Sequence, residues 1–206
     1  MIIPARVPGV IEKLFPQRVW RIETDLDELF LTFDDGPHPD ITPKVLDILK
    51  ENNAKATFFC IGDRVKKFPA IYQRILDEGH ATGNHTHHHL NGWKSNNTDY
   101  INDIIAAGGF IQSNLFRPPY GRITGQQFRK VSELGMKTVM WTVLSGDYDN
   151  RLSPQQVSVR VNTNFKKGSI YLFHDSEKAE KNMFFSLKEM IVKASQQSFT
   201  FSKISL

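Results

Sequence analysis

Leu29-Phe30-Leu31-Thr32-Phe33-Asp34-Asp35-Gly36-Pro37 is the stretch whose reading decides the fold. Five residues of apolar or β-branched sequence run straight into two adjacent carboxylates and then a Gly-Pro turn. Such a run reads as a buried strand with a sharply defined end. Neighbouring carboxylates repel one another, so a pair at a strand end calls for a cation, a shared proton, or both. A solvated Asp-Gly turn would spell the same letters. What argues against it is a second cluster, His85-Thr86-His87-His88-His89, and the way the rest of the chain lines up with both.

Outward from that strand, helix and strand signals alternate. A helix is predicted over residues 43–51 with Thr42 as N-cap, a strand over 55–61, and a helix over 69–78 closed by Gly79. A short strand follows at 81–84, then a helix at 98–111, a strand at 115–117, and a helix at 124–134 closed by Gly135. One strand is expected over 136–143, a helix over 154–162 behind Ser153, a strand over 169–173, a helix over 182–197, and a last strand over 200–202. Six or seven strands alternating with helices imply parallel βα units, arranged as an open doubly wound sheet or a (β/α) barrel. No glycine-rich phosphate loop follows the first strand, which argues against a dinucleotide site.

The chain of 206 residues is long enough for one sizeable core, with residues 1–28 as an N-terminal extension and 29–206 as the functional domain. A net charge of +4 with no block of like charges, and no arginine-rich helix or basic aromatic stripe, excludes a dedicated nucleic-acid binder. Cys60 is the only cysteine, so no internal disulfide forms; its apolar neighbours make it a buried thiol. No stretch is long and apolar enough to span a membrane. The N-terminus lacks the pattern of a signal peptide, so a cytoplasmic monomer is expected, or a secreted or cell-envelope protein if an export segment has been removed.

Asp34, Asp35, His85, His89, Arg117, Asp147 and His174 all fall at the C-terminal ends of predicted strands, the face where βα folds place their active sites. Asp35, His85 and His89 form a one-carboxylate, two-imidazole set that leaves positions on a divalent metal open. The spacing of the two histidines would put both rings on one face of a helical turn, with His87 and His88 as loop or wall residues. Such a metal polarises a carbonyl and lowers the pKa of water. Asp34 is then placed to act as base, held by a bidentate pair with Arg117. His174 is suited to protonate a leaving group, with Asp147 orienting it and favouring its charged form.

These residues resemble the five ordered motifs of the polysaccharide deacetylases with a NodB homology domain, carbohydrate esterase family 4. The first is Thr32-Phe33-Asp34-Asp35-Gly36-Pro37, and the second is His85-Thr86-His87-His88-His89. Arg117-Pro118-Pro119-Tyr120-Gly121 resembles the third, Asp147-Tyr148 stands where the fourth has Asp-Trp, and Leu172-Phe173-His174 resembles the fifth. The resemblance implies a distorted (β/α) barrel of about seven parallel strands and zinc, with cobalt or another divalent ion as alternatives. It implies Asp34 as base, Asp35, His85 and His89 as metal ligands, Arg117 as the partner of the base, and His174 with Asp147 as the acid pair. Pro118, Tyr120, Tyr148 and Leu172 would line the substrate groove, and the backbone N–H at Tyr120 would face the oxyanion. The implied activity is hydrolysis of an N-acetyl group from an N-acetylglucosamine-containing polymer such as peptidoglycan or a chitin oligomer, releasing acetate. A same-superfamily hydrolase of a non-sugar amide or acetyl ester, and a non-catalytic sugar-binding module, are the alternatives. Tyr148 departs from the family's tryptophan, and residues 175–182 form a charged stretch expected to be a solvated loop or, alternatively, a lid that selects the substrate.

Overall fold

The computed structural model describes residues 4–206; the first three residues of the N-terminal extension lie outside it. Its central strand is β1 (Glu28–Asp34), buried from Leu29 to Asp34. Burial on both faces is why its sequence is a nearly continuous apolar run and not an alternating one. β1 pairs in parallel with β2 (Ala56–Cys60) on one side and with β7 (Ile170–His174) on the other. Beyond β2 come β3 (Ala81–Asn84), β4 (Leu115–Phe116) and β5 (Lys137–Thr138); beyond β7 comes β6 (Val143–Leu144). β8 (Thr200–Phe201) pairs with the start of β1, off this path. The seven-strand path curls into a half-barrel whose end strands, β5 and β6, do not pair with each other.

The helices are α1 (Gly9–Leu14), α2 (Ile41–Glu51), α3 (Gly62–Lys67), α4 (Pro69–Asp77), α5 (Asn97–Gly108), α6 (Gly125–Glu133), α7 (Pro154–Asn162) and α8 (Glu180–Gln196). The two-residue period of β1 sorts its side chains. Leu29, Leu31 and Phe33 join a core with Val45, Leu46 and Leu49 of α2 and Met183, Leu187 and Met190 of α8. Phe30 turns the other way, into a smaller cluster with Phe59, Val139 and Ile170. Thr32 and Asp34 share that inner side and meet the buried Arg117 there.

Several expectations are corrected. The single strand predicted over 136–143 is two short strands at opposite ends of the sheet, joined by 139–142. Its apolar run is real, but it serves two separate pairings, and a local pattern cannot specify partners. Thr42 is not the N-cap of α2. The helix begins at Ile41 behind Asp40, and the Thr42 hydroxyl is taken by the His38 N–H and Asp175. α1 and α3 were not anticipated, and α8 begins two residues earlier than the predicted helix. The capping boxes at Thr124 and Ser153 form as their spacing implies. The N-terminal segment bridges the sheet opening: Leu144 N–H donates to Ala5 O, Val7 N–H to Thr142 O, and Val19 N–H to Thr138 O.

Candidate active site

The end of β1 delivers two carboxylates in different directions. Asp34 completes the inner face of the strand and is 3% exposed. Asp35 leaves the strand in the left-handed region, with φ 84°, a conformation that costs a non-glycine residue on the order of 1–3 kcal/mol. The next residue is required to be glycine by close approach: a Cβ on Gly36 would stand 2.1 Å from Asp175 Oδ2. The Gly36–Pro37 peptide is cis.

β3 ends at Asn84 and delivers the histidines. His85 is buried, and its Nδ1 lies 2.7 Å from Arg117 O, a bond only an N–H at Nδ1 can make. That fixes the tautomer and leaves the Nε2 lone pair pointing inward. His85 Nε2 is 3.8 Å from Asp35 Oδ1, and His89 Nε2 is 3.2 Å from the same oxygen. The ligand atoms of Asp35, His85 and His89 all lie within 4.8 Å of one another. Asp35 Oδ1 is buried and makes no well-aligned hydrogen bond. Three donor atoms aimed at one point, one of them an orphaned buried oxygen, are what a divalent cation requires of its ligands. The ionisation states agree. Burial holds His85 neutral, down at about 4. Burial alone would raise Asp35, but His89, His174 and His85 outweigh it and hold the carboxyl well below the usual range.

The two imidazoles are not on a helical turn. Residues 85–89 form a loop, with Thr86 (φ 63°) and His89 (φ 57°) in the left-handed region. Side chains hold that shape. Asn84 Oδ1 accepts from Thr86 N–H, and Thr86 Oγ1 accepts from Leu90 N–H. Asp103 of α5 accepts from the N–H groups of His87 and His88 at 2.8 and 2.9 Å. His87 packs on Phe110, and His88, 63% exposed in its side chain, is bonded to Asp103; neither joins the ligand set.

Arg117, wholly buried, donates from Nη1 to Asp34 Oδ1 at 2.7 Å. The expected bidentate pair does not form. Nη1 also reaches Thr32 Oγ1, Nε reaches Val139 O, and Nη2 reaches Met140 O. The guanidinium is shared between the carboxylate and two carbonyls of the segment that joins β5 to β6. It lies over Phe59, 4.0 Å from the ring centroid.

On the other side of Asp34, His174 is its register partner on β7. Asp147, fully buried, accepts from His174 Nδ1 and from its backbone N–H, both at 2.8 Å. Burial pulls the His174 pKa down, but the Asp147 carboxylate more than reverses this and raises it to about 9. Tyr148 stands edge-on to the His174 ring, with centroids 5.0 Å apart. Tyr120 is 61% exposed and packs on His89. Pro118 and Leu172 are buried.

Asp175 was expected in a solvated stretch and is fully buried instead. Its Oδ2 accepts from the Thr42 hydroxyl, and its Oδ1 has no partner. Burial, with Asp35 nearby, pushes its carboxyl up to about 7. Nothing in its own neighbourhood of charged residues signals this; the one trace is the glycine at position 36, whose missing side chain makes room for it.

The polysaccharide deacetylase family profile matches residues 21–139. A peptidoglycan-N-acetylglucosamine deacetylase of Bacillus cereus is 35% identical over 193 residues, covering 90% of each chain. A chitooligosaccharide deacetylase of Azorhizobium caulinodans is 35% identical over 164 residues, covering 75% of this chain and 77% of its own. Among solved structures, a peptidoglycan N-acetylglucosamine deacetylase in complex with a naphthyl N-hydroxybenzamide superposes with a TM-score of 0.87. It is 32% identical, over 96% of this chain and 95% of that one.

Proposed function

Since the chain belongs to the polysaccharide deacetylase family, we propose that it hydrolyses the N-acetyl group of N-acetylglucosamine units in peptidoglycan or chitin oligomers, releasing acetate and a free amine. The observation that carries this reading is the convergence of Asp35, His85 and His89 beside two groups of opposite acid–base character, the register partners Asp34 and His174. Asp35, His85 and His89 would hold zinc, with cobalt as the next candidate, since a carboxylate and two neutral imidazoles suit either ion. When bound, such an ion acts as a Lewis acid toward the acetamide carbonyl and brings the ionisation of water into the neutral range.

The side chains supply the rest. Asp34, held by Arg117 and off the ligand set, takes the proton of the attacking water. His174 is kept charged by Asp147 and donates a proton to the departing nitrogen, which must leave as an amine and not as an amide anion. The Tyr120 backbone N–H is assigned to the oxygen that becomes negative as the carbonyl turns tetrahedral. Pro118, Tyr120, Tyr148 and Leu172 shape the groove for the sugar and its acetyl group.

Asp34→Asn should lower acetate release from N-acetylglucosamine oligomers by about 10²- to 10⁴-fold while leaving metal content unchanged. Near-normal turnover in that variant would remove Asp34 from the reaction. Chelation should abolish activity and zinc or cobalt should restore it; activity indifferent to chelation would exclude the metal.

A further inference from the structure

Beside the acid pair lies an open cleft of about 430 Å³, walled by Arg151, Leu152 and Ser153 before and at the start of α7, and by Lys178, Lys181 and Asn182 at the start of α8. Its charge is strongly one-sided. The stretch from 177 to 181 alternates acid and base in sequence, but the fold sorts the two signs. Glu177 faces His38 at 3.4 Å and Glu180 faces Lys44 at 3.3 Å, both away from the cleft. Lys178 and Lys181 line the cleft, and neither has an ion-pair partner among the described residues. Asp149 is bonded to Arg151 and also feels the charge of Lys178, so one carboxylate stands against three cations and the cleft keeps a net positive charge.

The cleft is fastened to the reacting groups. Lys178 Nζ stands 5.8 Å from the Tyr148 ring centroid, and that ring packs edge-on against His174. Asn182, buried, donates to the backbone carbonyls of Asp147 and Leu152 at 3.2 Å each, joining the cleft floor to the backbone of the residue that holds His174. A ligand seated in the cleft is therefore held at a defined place relative to the proton donor.

We propose that this cleft is a subsite for a carboxylate carried by the sugar next to the one deacetylated. The enzyme is thereby selective for an acidic amino-sugar polymer, of the lactyl-substituted peptidoglycan type, over a neutral chitin oligomer. Two ammonium groups in an open cleft match an anion and meet no opposite charge on a neutral glycan. The proposal rests on the deacetylase reading above.

The test is acetate release by metal-loaded enzyme from three tetrasaccharides at low salt. One is chitotetraose. The second alternates N-acetylglucosamine with N-acetylmuramic acid bearing free lactyl carboxylates. The third is the same glycan with those carboxyls converted to methylamides. The acidic glycan should have a KM about tenfold below that of its amidated copy, with kcat similar. The double variant Lys178→Ala/Lys181→Ala should remove this advantage and leave chitotetraose kinetics unchanged, and Lys178→Arg/Lys181→Arg should keep it. Equal KM values for the acidic and amidated glycans, or an equal loss on all three in the alanine variant, would overturn the subsite. Acetate from chitotetraose with no preference for the acid removes the subsite alone, while no acetate from any of the three overturns the deacetylase reading and the subsite with it.

Discussion

Replacing Asp147 by Asn should convert a pH-dependent part of the stability into a constant. Asp147 is fully buried, and its two oxygens accept from the ring and backbone N–H groups of His174, both at 2.8 Å. Burial works against a charged imidazole here, yet the carboxylate raises its pKa to about 9. The folded value lies above the ordinary 6.5, so the protein gains stability from the imidazolium. That gain is complete below about pH 6.5 and is lost as pH rises through 9. The gap between the two values, at about 1.36 kcal/mol per pH unit, is roughly 3 kcal/mol. In a chain of this length 1 kcal/mol moves Tm by about 2–4 °C, so the term is worth about 6–12 °C. Calorimetric melts of wild type and Asp147→Asn, in chelator so that no bound cation repels the imidazolium, should run from pH 6 to pH 9.5. The Tm difference should be largest at pH 6 and shrink by about that amount at the alkaline end. A difference that stays flat across the range would refute the claim that Asp147 holds His174 charged.

Asp175 predicts the opposite sign of mutational effect. Its folded carboxyl, at about 7, lies above the ordinary 3.8, so stability is lost as pH rises between these values, by up to about 4 kcal/mol; Asp175→Asn should raise Tm at pH 7.5 and change it little at pH 4, and a lower Tm at both would contradict this. Arg117→Met strands Asp34 and two carbonyls in the interior and should cost about 3–5 kcal/mol in denaturant unfolding. Adding Asp34→Asn should recover part of that loss, and strictly additive effects would show that the pair is not coupled. Asp103→Ala frees the backbone of His87 and His88 and should weaken zinc binding about 10- to 100-fold in a chelator competition; an unchanged affinity would mean the loop holds its shape without it.

How far the chain could be read depended on the range of the signal. β3 at Ala81–Asn84 and α7 behind Ser153 match their predicted bounds, and for α7 the reason is a capping box that acts over a few neighbouring residues. The run over 136–143 failed because its apolar letters satisfy partners on opposite ends of the sheet. Asp175 failed for a related reason. Its burial is created by Thr42 and Gly36, more than a hundred residues away, and no local pattern marks a buried carboxyl. The helical-turn reading of His85 and His89 erred because spacing alone does not distinguish a turn from a loop bent by left-handed residues.

Residue types and their order along the chain were enough to place Asp34, Asp35, His85, His89, Arg117, Asp147 and His174 at the C-terminal ends of strands. Strand signals are local, and βα connectivity sends those ends to one face. Only the folded chain decided which atoms face each other. It turned Asp35 toward the two Nε2 atoms and spread the Arg117 guanidinium over one carboxylate and two carbonyls. It also buried Asp175 and sorted the alternating charges of 177–181 onto two sides. Direction, burial and charge environment are sums over groups distant in sequence, and those sums exist only once the sheet has closed around them.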